Sequence, residues 1–331
     1  MAVEVITGET TVVEVVIPGP QGPAGADGAD GADYVPPDYT DVIYLAKHGS
    51  NSNNGRHPDR AVLTIDDAVT KANALATGSN RVRLQVIDDG TYEADAGSLT
   101  LSDVNLCAPG ATIIGALTLS NRAYVTADRL YPAENNQVLV AKDDSAVNVY
   151  VRANEIDGRG TDGTLTGTTL VRNTVSGGIH TVYANKYFIP QDGLGATDQG
   201  TGFAHIHIQG EDFYLAGDNA LGLELKNNND IVFRIGHVLE FGSPAGTTFL
   251  SSPNPGEQVT IVCTEIVCHT GFSVVGNSSS IHATVARLVC TTAWDVSGGA
   301  FYINAASVSG TRTHTGGTVG AVVASDSAVT I

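Results

Sequence analysis

Three pairs of acidic residues are candidates for the cleavage of a glycan. Hydrolysis of a glycosidic bond uses two carboxyl groups about 5–9.5 Å apart, one on each side of the bond. The candidate pairs are Asp143 with Asp144, Glu155 with Asp157, and Glu211 with Asp212. The chain has 35 acidic residues, so such pairs also arise by chance on a solvated surface. The sequence therefore assigns no catalytic residue, and it favours a non-enzymatic protein over a glycoside hydrolase or a polysaccharide lyase.

Two histidines, His205 and His207, are candidate metal ligands. Residues two apart on a strand point to the same face, so their imidazoles would be neighbours. No third ligand is evident near them, and His180, His237 and His282 fall at unrelated positions. Surface histidines explain the pair better than a metal site does, so the sequence predicts neither a metal nor a cofactor.

Two polar, glycine-rich loops at residues 157–167 and 192–202 hold most of the candidate ligand contacts. Loops on a rigid scaffold are the usual site of recognition, and their aspartates suit a sugar, a Ca²⁺ ion or simple turns. Neither loop matches a calcium-binding repeat, and turns are the simplest interpretation. The candidate glycan contacts are Asp157, Arg159, Asp162, Asp192, Asp198 and Trp294. For Trp294, the single tryptophan, packing in the core is favoured over contact with a ligand.

The overall charge excludes two classes of partner. The 17 Lys and Arg residues against 35 Asp and Glu residues give a net charge of −18. Nucleic-acid binding needs a basic patch, and anionic lipid attracts basic segments. No apolar run approaches the ~18 residues of a membrane span, and no basic region precedes an apolar one at the N-terminus. We therefore expect no nucleic-acid partner, no membrane insertion and no signal peptide.

The first predicted element is a β-hairpin within residues 1–18. Two β-branched runs, 3–7 and 10–17, flank Gly8 and Glu9, which is a turn with glycine at its first position. An isolated hairpin is only marginally stable. This one is therefore expected to dock on another surface.

The next segment, residues 19–33, has the period of collagen. Glycine occupies every third position at Gly19, Gly22, Gly25, Gly28 and Gly31. Only glycine fits at the axis of a triple helix, so the segment predicts that three copies of the chain wind together as a homotrimer. Its two prolines make such a helix weak, and an extended, unpaired linker is the alternative.

Residues 64–78 predict the one helix of the chain, after a polar linker and loop at 34–63. Thr64 and Asp67 resemble a capping box at its start, and Gly78 ends the pattern. The apolar stripe consists of Ile65, Ala68, Val69, Ala72 and Leu75. This spacing is that of an amphipathic helix.

From about residue 99 onward a short unit repeats: a small residue followed three positions later by an apolar one. The units begin at Ala127, Ala153, Ala184, Gly210, Gly236, Cys263, Val285 and Ala305. A strand-and-turn unit recurring roughly every 20–30 residues is typical of a solenoid. The sequence thus predicts an all-β protein, a right-handed parallel β-helix over residues 79–331, and a β-sandwich is the alternative. The spacing also predicts that Cys268 and Cys290 stack in adjacent coils as reduced thiols.

Residues 44–75 resemble the N-terminal cap of pectate-lyase-like β-helix proteins. The matching residues are Gly49, Ser50, Gly55, Pro58, Thr64, Ile65 and Ala68. A capped β-helix behind a hairpin and a collagen-like stretch is similar to a bacteriophage tail fibre or tailspike. No catalytic set of that family aligns with this chain, so none is transferred.

The resemblance implies a role that the residues alone do not give. Such proteins are homotrimers of the virion, made in the host cytoplasm and fixed to a tail, baseplate or capsid protein by the N-terminus. Residues 1–18 would then be the anchor, and the β-helix would bind a host surface polysaccharide. A tailspike depolymerase and a purely structural head or tail fibre are the alternatives.

Overall fold

The computed structural model describes nine ranges of the chain, all of them within the compact unit Asp38–Ile331. The ranges are 41–77, 80–143, 148–174, 178–198, 205–225, 230–242, 244–252, 258–275 and 279–326. The predicted hairpin, the five collagen-like glycines and Gly78 lie outside the described residues.

The described residues form one α-helix, one 3₁₀ helix and eighteen strands. The helices are α1 (Ile65–Leu75) and the 3₁₀ helix Pro58–Arg60. The first nine strands are β1 (Val42–Leu45), β2 (Val82–Val86), β3 (Thr91–Ser102), β4 (Val104–Ser120), β5 (Tyr124–Tyr131), β6 (Val138–Lys142), β7 (Val149–Asp157), β8 (Thr169–Asn173) and β9 (Ile179–Ile189). The others are β10 (Leu194–Asp198), β11 (His205–Leu215), β12 (Leu221–Leu225), β13 (Asp230–Glu240), β14 (Thr248–Ser252), β15 (Gln258–Val274), β16 (Ser280–Val296), β17 (Ala300–His314) and β18 (Thr318–Asp326).

The strands pair in parallel, each with its counterpart in the preceding and the following coil. One column of successive register partners consists of Leu130, Ile156, Tyr187, Phe213, Val238, Ile266, Leu288 and Val308. Every residue of this column is buried. Parallel strands lie ~4.8 Å apart, so equivalent side chains of successive coils stack on one another. The fold is all-β, and this stacking is consistent with a β-helix or solenoid.

The predicted repeat matches this register in all but one unit. Ala153 pairs with Ala184, and Cys263 pairs with Val285. Gly210, however, pairs with Ile235 instead of Gly236. The predicted unit beginning at Gly236 is therefore wrong by one residue. The error arose because this coil has isoleucine at the position where the other units have a small residue.

The capping box predicted at the start of α1 is wrong, although the helix itself is confirmed. No side-chain hydrogen bond caps α1 at Thr64. Asn51, thirteen residues earlier, takes that role instead: its Oδ1 accepts from the backbone N–H of Leu63 at 3.2 Å and of Thr64 at 3.0 Å. The helix then buries its predicted stripe against the first strands. Because β1 lies within the predicted linker and pairs with β2, the stacking begins before the helix.

Aromatic side chains fill the interior of the later coils. Ring centroids of successive members lie 4.9–5.7 Å apart. The members are Tyr187, Phe213, Phe233, Phe249, Phe272 and Phe301. The predicted stacking of the cysteines is also confirmed, since Cys268 and Cys290 are register partners and their Sγ atoms lie 3.6 Å apart. In the described part of the chain, no helix has the length and apolarity that crossing a membrane requires.

Candidate functional site

Strand register brings distant residues together at one corner of the coils. Asp157 is the register partner of Phe188, and Phe188 is the partner of Tyr214. Phe241 follows the next strand, and its backbone N–H donates to the carbonyl of Leu215 at 3.0 Å. Residues that are far apart in sequence therefore occupy successive coils, which are spaced ~4.8 Å apart along the stack.

Three aromatic rings form a platform at this corner. The rings of Phe188 and Tyr214 stack with centroids 4.8 Å apart and planes 14° from parallel. Phe241 stands nearly perpendicular to both, 5.7 Å from each centroid. Its side chain is 48% exposed. Stacked and edge-to-face rings hold one another in place. Phe241 is the exposed member of the platform, whereas Tyr214 is half-buried and Phe188 is buried.

Arg159 lies across this platform and is held by Asp157. The guanidinium Nε and Nη2 donate to the two carboxylate oxygens of Asp157 at 2.9 and 2.7 Å. Its central carbon lies 4.1 Å from the ring centroid of Phe188 and 5.1 Å from that of Phe241. A bidentate pair fixes the plane of a guanidinium, and the rings attract it. The aromatic–arginine cluster comprises Asp157, Arg159, Phe188, Tyr214 and Phe241.

Polar groups border the cluster on one side. The hydroxyl of Tyr214 donates to Oδ2 of Asp212 at 3.1 Å, and Oδ1 of Asp212 lies 3.1 Å from Nδ1 of His237. Burial and this hydrogen bond raise the pKa of Tyr214 above its ordinary value. An apolar surface bordered by hydrogen-bonding groups suits a ligand with an apolar face and polar edges, such as a sugar ring.

Two acidic residues of the candidate pairs, Glu155 and Asp212, belong to a ladder of charges along the coils. Its members are successive register partners: Arg129, Glu155, Lys186, Asp212, His237, Glu265 and Arg287. Opposite charges on neighbouring strands attract one another, and Arg287 donates to Glu265. The carboxylate of Glu155 also accepts from the hydroxyl of Tyr131 at 2.8 Å. Burial and this bond raise the pKa of Tyr131 to about 12.

Three carboxylates of the candidate catalytic pairs are bonded to other side chains. Glu155 is bonded to Tyr131, and Asp157 to Arg159. Asp212 is bonded to Tyr214. Asp144 lies outside the described residues.

The first predicted loop, 157–167, is confirmed as a turn region that follows β7. Asp162 is exposed and stabilises the turn, since the hydroxyl of Thr164 donates to its Oδ1 at 2.8 Å. This bond and the backbone N–H of Thr164 lower the pKa of Asp162. Asp162 thus acts as a turn residue, whereas Asp157 and Arg159 belong to the aromatic–arginine cluster.

Asp192 lies at a second corner, where successive coils repeat one left-handed turn. The residues with positive φ at this corner are Asn136, Gly167, Asp192, Asn219 and Gly246, with values between 52° and 70°. Asparagine, aspartate and glycine adopt this conformation most readily. The Nδ2 of Asn219 donates to Oδ1 of Asp192 at 3.0 Å. This pattern gives Asp192 a structural role at the corner.

The second predicted loop, 192–202, is partly wrong. Residues Leu194–Asp198 form strand β10, which pairs with β8 on one side and β12 on the other. In this strand Asp198 is the register partner of Asn173 and of Leu225. Five-residue strands in the neighbouring coils therefore impose strand structure on a sequence rich in glycine.

Trp294 lies in the hydrophobic core and does not join the cluster. Its side chain is buried. Its ring centroid lies 5.7 Å from that of Phe301, and the guanidinium of Arg312 covers the ring at 5.1 Å. The favoured packing role agrees with this position, and burial leaves little of the indole for a ligand to contact.

The histidine pair lies on the outer side of β11. His205 and His207 alternate with buried Ile206 and Ile208. Burial, with smaller contributions from His205 and Arg234, lowers the pKa of His207. Within the described ranges, no three His, Cys, Asp or Glu side chains group closely enough to hold a metal ion.

The three aromatic residues of the cluster were not predicted from the sequence. The low aromatic content of 6% argued against a sugar-stacking surface. A usable signal was present, because Phe188 and Tyr214 directly follow Tyr187 and Phe213 in equivalent units. In each unit one aromatic ring faces the core and the next faces the corner. Phe241 gave no comparable signal, because its place depends on the turn after β13.

Comparison of the chain with known protein families, curated proteins and solved structures found no match. The function of the chain is therefore inferred from its residues and their geometry.

Proposed function

We propose that this chain is a trimeric virion appendage, a bacteriophage tail fibre or tailspike, that attaches to a surface glycan of the host. The observation that carries the proposal is the aromatic–arginine cluster, a rigid and partly exposed aromatic surface next to hydrogen-bonding groups. Aromatic rings combined with fixed polar groups are typical of ligand sites. Phe241, the exposed ring of the cluster, would contact the apolar face of a sugar, and Asp212 and His237 would bond its hydroxyls.

The remaining parts of the chain have matching roles in this proposal. The hairpin at 1–18 docks on a tail, baseplate or capsid protein. The collagen-like segment at 19–33 joins three chains, and the helix within 64–78 caps the first coil of a right-handed β-helix. The protein is made in the host cytoplasm and then becomes part of the virion.

Binding without cleavage is favoured over depolymerase activity. Asp157 is bonded to Arg159, and Asp212 is bonded to Tyr214 and His237. Cleavage would require two carboxyl groups placed on either side of the bond. The carboxylates of this corner instead hold the binding surface in shape.

An array of purified bacterial capsule and O-antigen polysaccharides tests the proposal. We expect the trimer to bind at least one polysaccharide and to release no reducing ends from it on prolonged incubation. Release of reducing ends would show that the protein cleaves the polysaccharide, and the assignment would change from a binding protein to a depolymerase. Failure to bind any polysaccharide and any intact bacterial cells of the same strains would instead favour a structural fibre.

A further inference from the structure

The last coils carry a patch of outward residues that we call the late-coil face. It consists of Val262, His282, Thr284, Tyr302, Asn304 and Val322. Val262, Thr284, Asn304 and Val322 are successive register partners, and His282 is the partner of Tyr302. Strand pairing therefore makes the patch a continuous surface across β15 to β18.

The late-coil face exposes several apolar side chains to solvent. Val262, Tyr302 and Val322 are 46%, 40% and 69% exposed. The rings of His282 and Tyr302 stack outside the core with centroids 4.9 Å apart. Two adjoining shallow depressions, of about 370 and 410 Å³, share Thr284 and Asn304 in their linings. Contiguous exposed apolar surface of this kind marks an interaction site.

The face also differs in charge from the chain as a whole, which has a net charge of −18. Among the described residues, neither depression is lined by Asp, Glu, Lys or Arg. Two copies of such an acidic chain repel each other, except where they meet through surfaces free of carboxylates.

We propose that the late-coil face is where copies of this chain meet around a three-fold axis. This inference rests on the proposed function, which requires three chains. In a closed three-fold arrangement the residues nearest the axis meet their own equivalents. A carboxylate there would face two copies of itself, whereas valine, threonine and tyrosine make close contact at no electrostatic cost. The face thus gives the solenoid its own contact between subunits, separate from the collagen-like segment.

Cross-linking of full-length protein tests this contact. In a Cys107→Ser background, Thr284→Cys places a thiol on the face, and Thr291→Cys places one on the same strand beyond the face. Both threonines are exposed. With a short bis-maleimide, we expect Thr284→Cys to give covalent dimers on a denaturing gel, because each chain then carries one accessible thiol and the reagent joins two. Thr291→Cys should stay monomeric, because its thiols would lie too far from the axis.

Light scattering of the parent protein separates the possible failures. A parent mass of three chains with no cross-linking of Thr284→Cys would overturn this inference and leave the proposed trimer intact. Equal cross-linking of the two variants would also overturn it. A parent that is monomeric would overturn both the interface and the trimer, while polysaccharide binding would still be measured independently on the array.

Discussion

Asp157 and Arg159 form a two-point ion pair that holds the guanidinium flat against an aromatic surface. The two residues are separated by one glycine, and their side chains are joined at 2.7 and 2.9 Å. The arginine is therefore fixed by its neighbour in sequence and by Phe188 in the next coil. This relationship connects a turn to the platform, so changes at Asp157 should alter both stability and binding.

Breaking this pair should destabilise the protein measurably. Asp157→Asn removes the charge that fixes Arg159, and hydrogen bonds to charged groups contribute about 1–3 kcal/mol. We expect the free energy of unfolding to fall by about that amount in urea titrations. Asp162→Asn removes the same charge from an exposed residue of the same loop and should destabilise the protein less, because an asparagine Oδ1 can still accept from Thr164. Equal unfolding midpoints for the two variants would contradict the role given to the pair.

A buried histidine should make the fold sensitive to acid. His180 is fully buried, and neither ring nitrogen has a hydrogen-bond partner among the described residues. Burial, together with the charge of Lys142, lowers the pKa of His180 to about 3. Below about pH 6.5 the unfolded chain therefore binds a proton that the folded chain does not.

The stability that neutral His180 contributes is thus present above about pH 6.5 and is lost as the pH falls towards about 3. His180→Leu should remove this dependence. As the pH falls from about 6 to about 4, we expect the difference in unfolding free energy between the two proteins to shift in favour of His180→Leu by about 1.4 kcal/mol per pH unit. Parallel curves over that range would show that His180 does not control the acid response.

The thiols should be largely unreactive in the folded protein. Cys263, Cys268 and Cys290 are buried, whereas Cys107 is partly exposed. Burial raises the pKa of Cys263 to about 12, and burial with the neighbouring Cys290 raises that of Cys268. The thiolate is the reactive form. We expect a chromogenic disulfide reagent to titrate at most one thiol before denaturation and all four afterwards; rapid reaction of several native thiols would be the opposite result.

A bulky residue in the collagen-like segment should loosen the N-terminal part alone. Gly25→Val places a side chain where only glycine fits. We expect limited proteolysis to cut more quickly within 19–33, while the circular dichroism of the solenoid stays unchanged. Ala24→Val is the control, because position 24 is not a glycine of the triplet. Equal cleavage rates in both variants would show that the segment is a linker without a triple helix.

The features that depend on local repetition could be predicted from the sequence. The small-x-x-apolar unit located the buried column, and the five-residue offset in two adjacent units placed Cys268 on Cys290. The helix stripe was equally predictable, because 3.6-residue spacing is a local property. Features set by neighbouring coils were not predictable: Asn51 replaces a capping box, and β8 and β12 hold Leu194–Asp198 as a strand.

For the same reason, only part of the aromatic–arginine cluster could be predicted from the sequence. Asp157 and Arg159 stood out as polar residues of a loop, but Phe188, Tyr214 and Phe241 come from three later strands and turns. Only the register of the coils places them beside Arg159. Trp294 was a candidate contact for which packing was favoured, and its position in the coil buries it.

The affinity of Phe241→Ala for a polysaccharide that the parent protein binds tests the central claim most directly. Tyr124→Ala is the matched control, because Tyr124 is an aromatic residue of similar exposure, 40% against 48%, outside the cluster. We expect calorimetric titration to show at least about tenfold weaker binding for Phe241→Ala, equivalent to about 1.4 kcal/mol, and parental affinity for Tyr124→Ala. Parental affinity in both variants would contradict the assignment of the aromatic–arginine cluster as the glycan site.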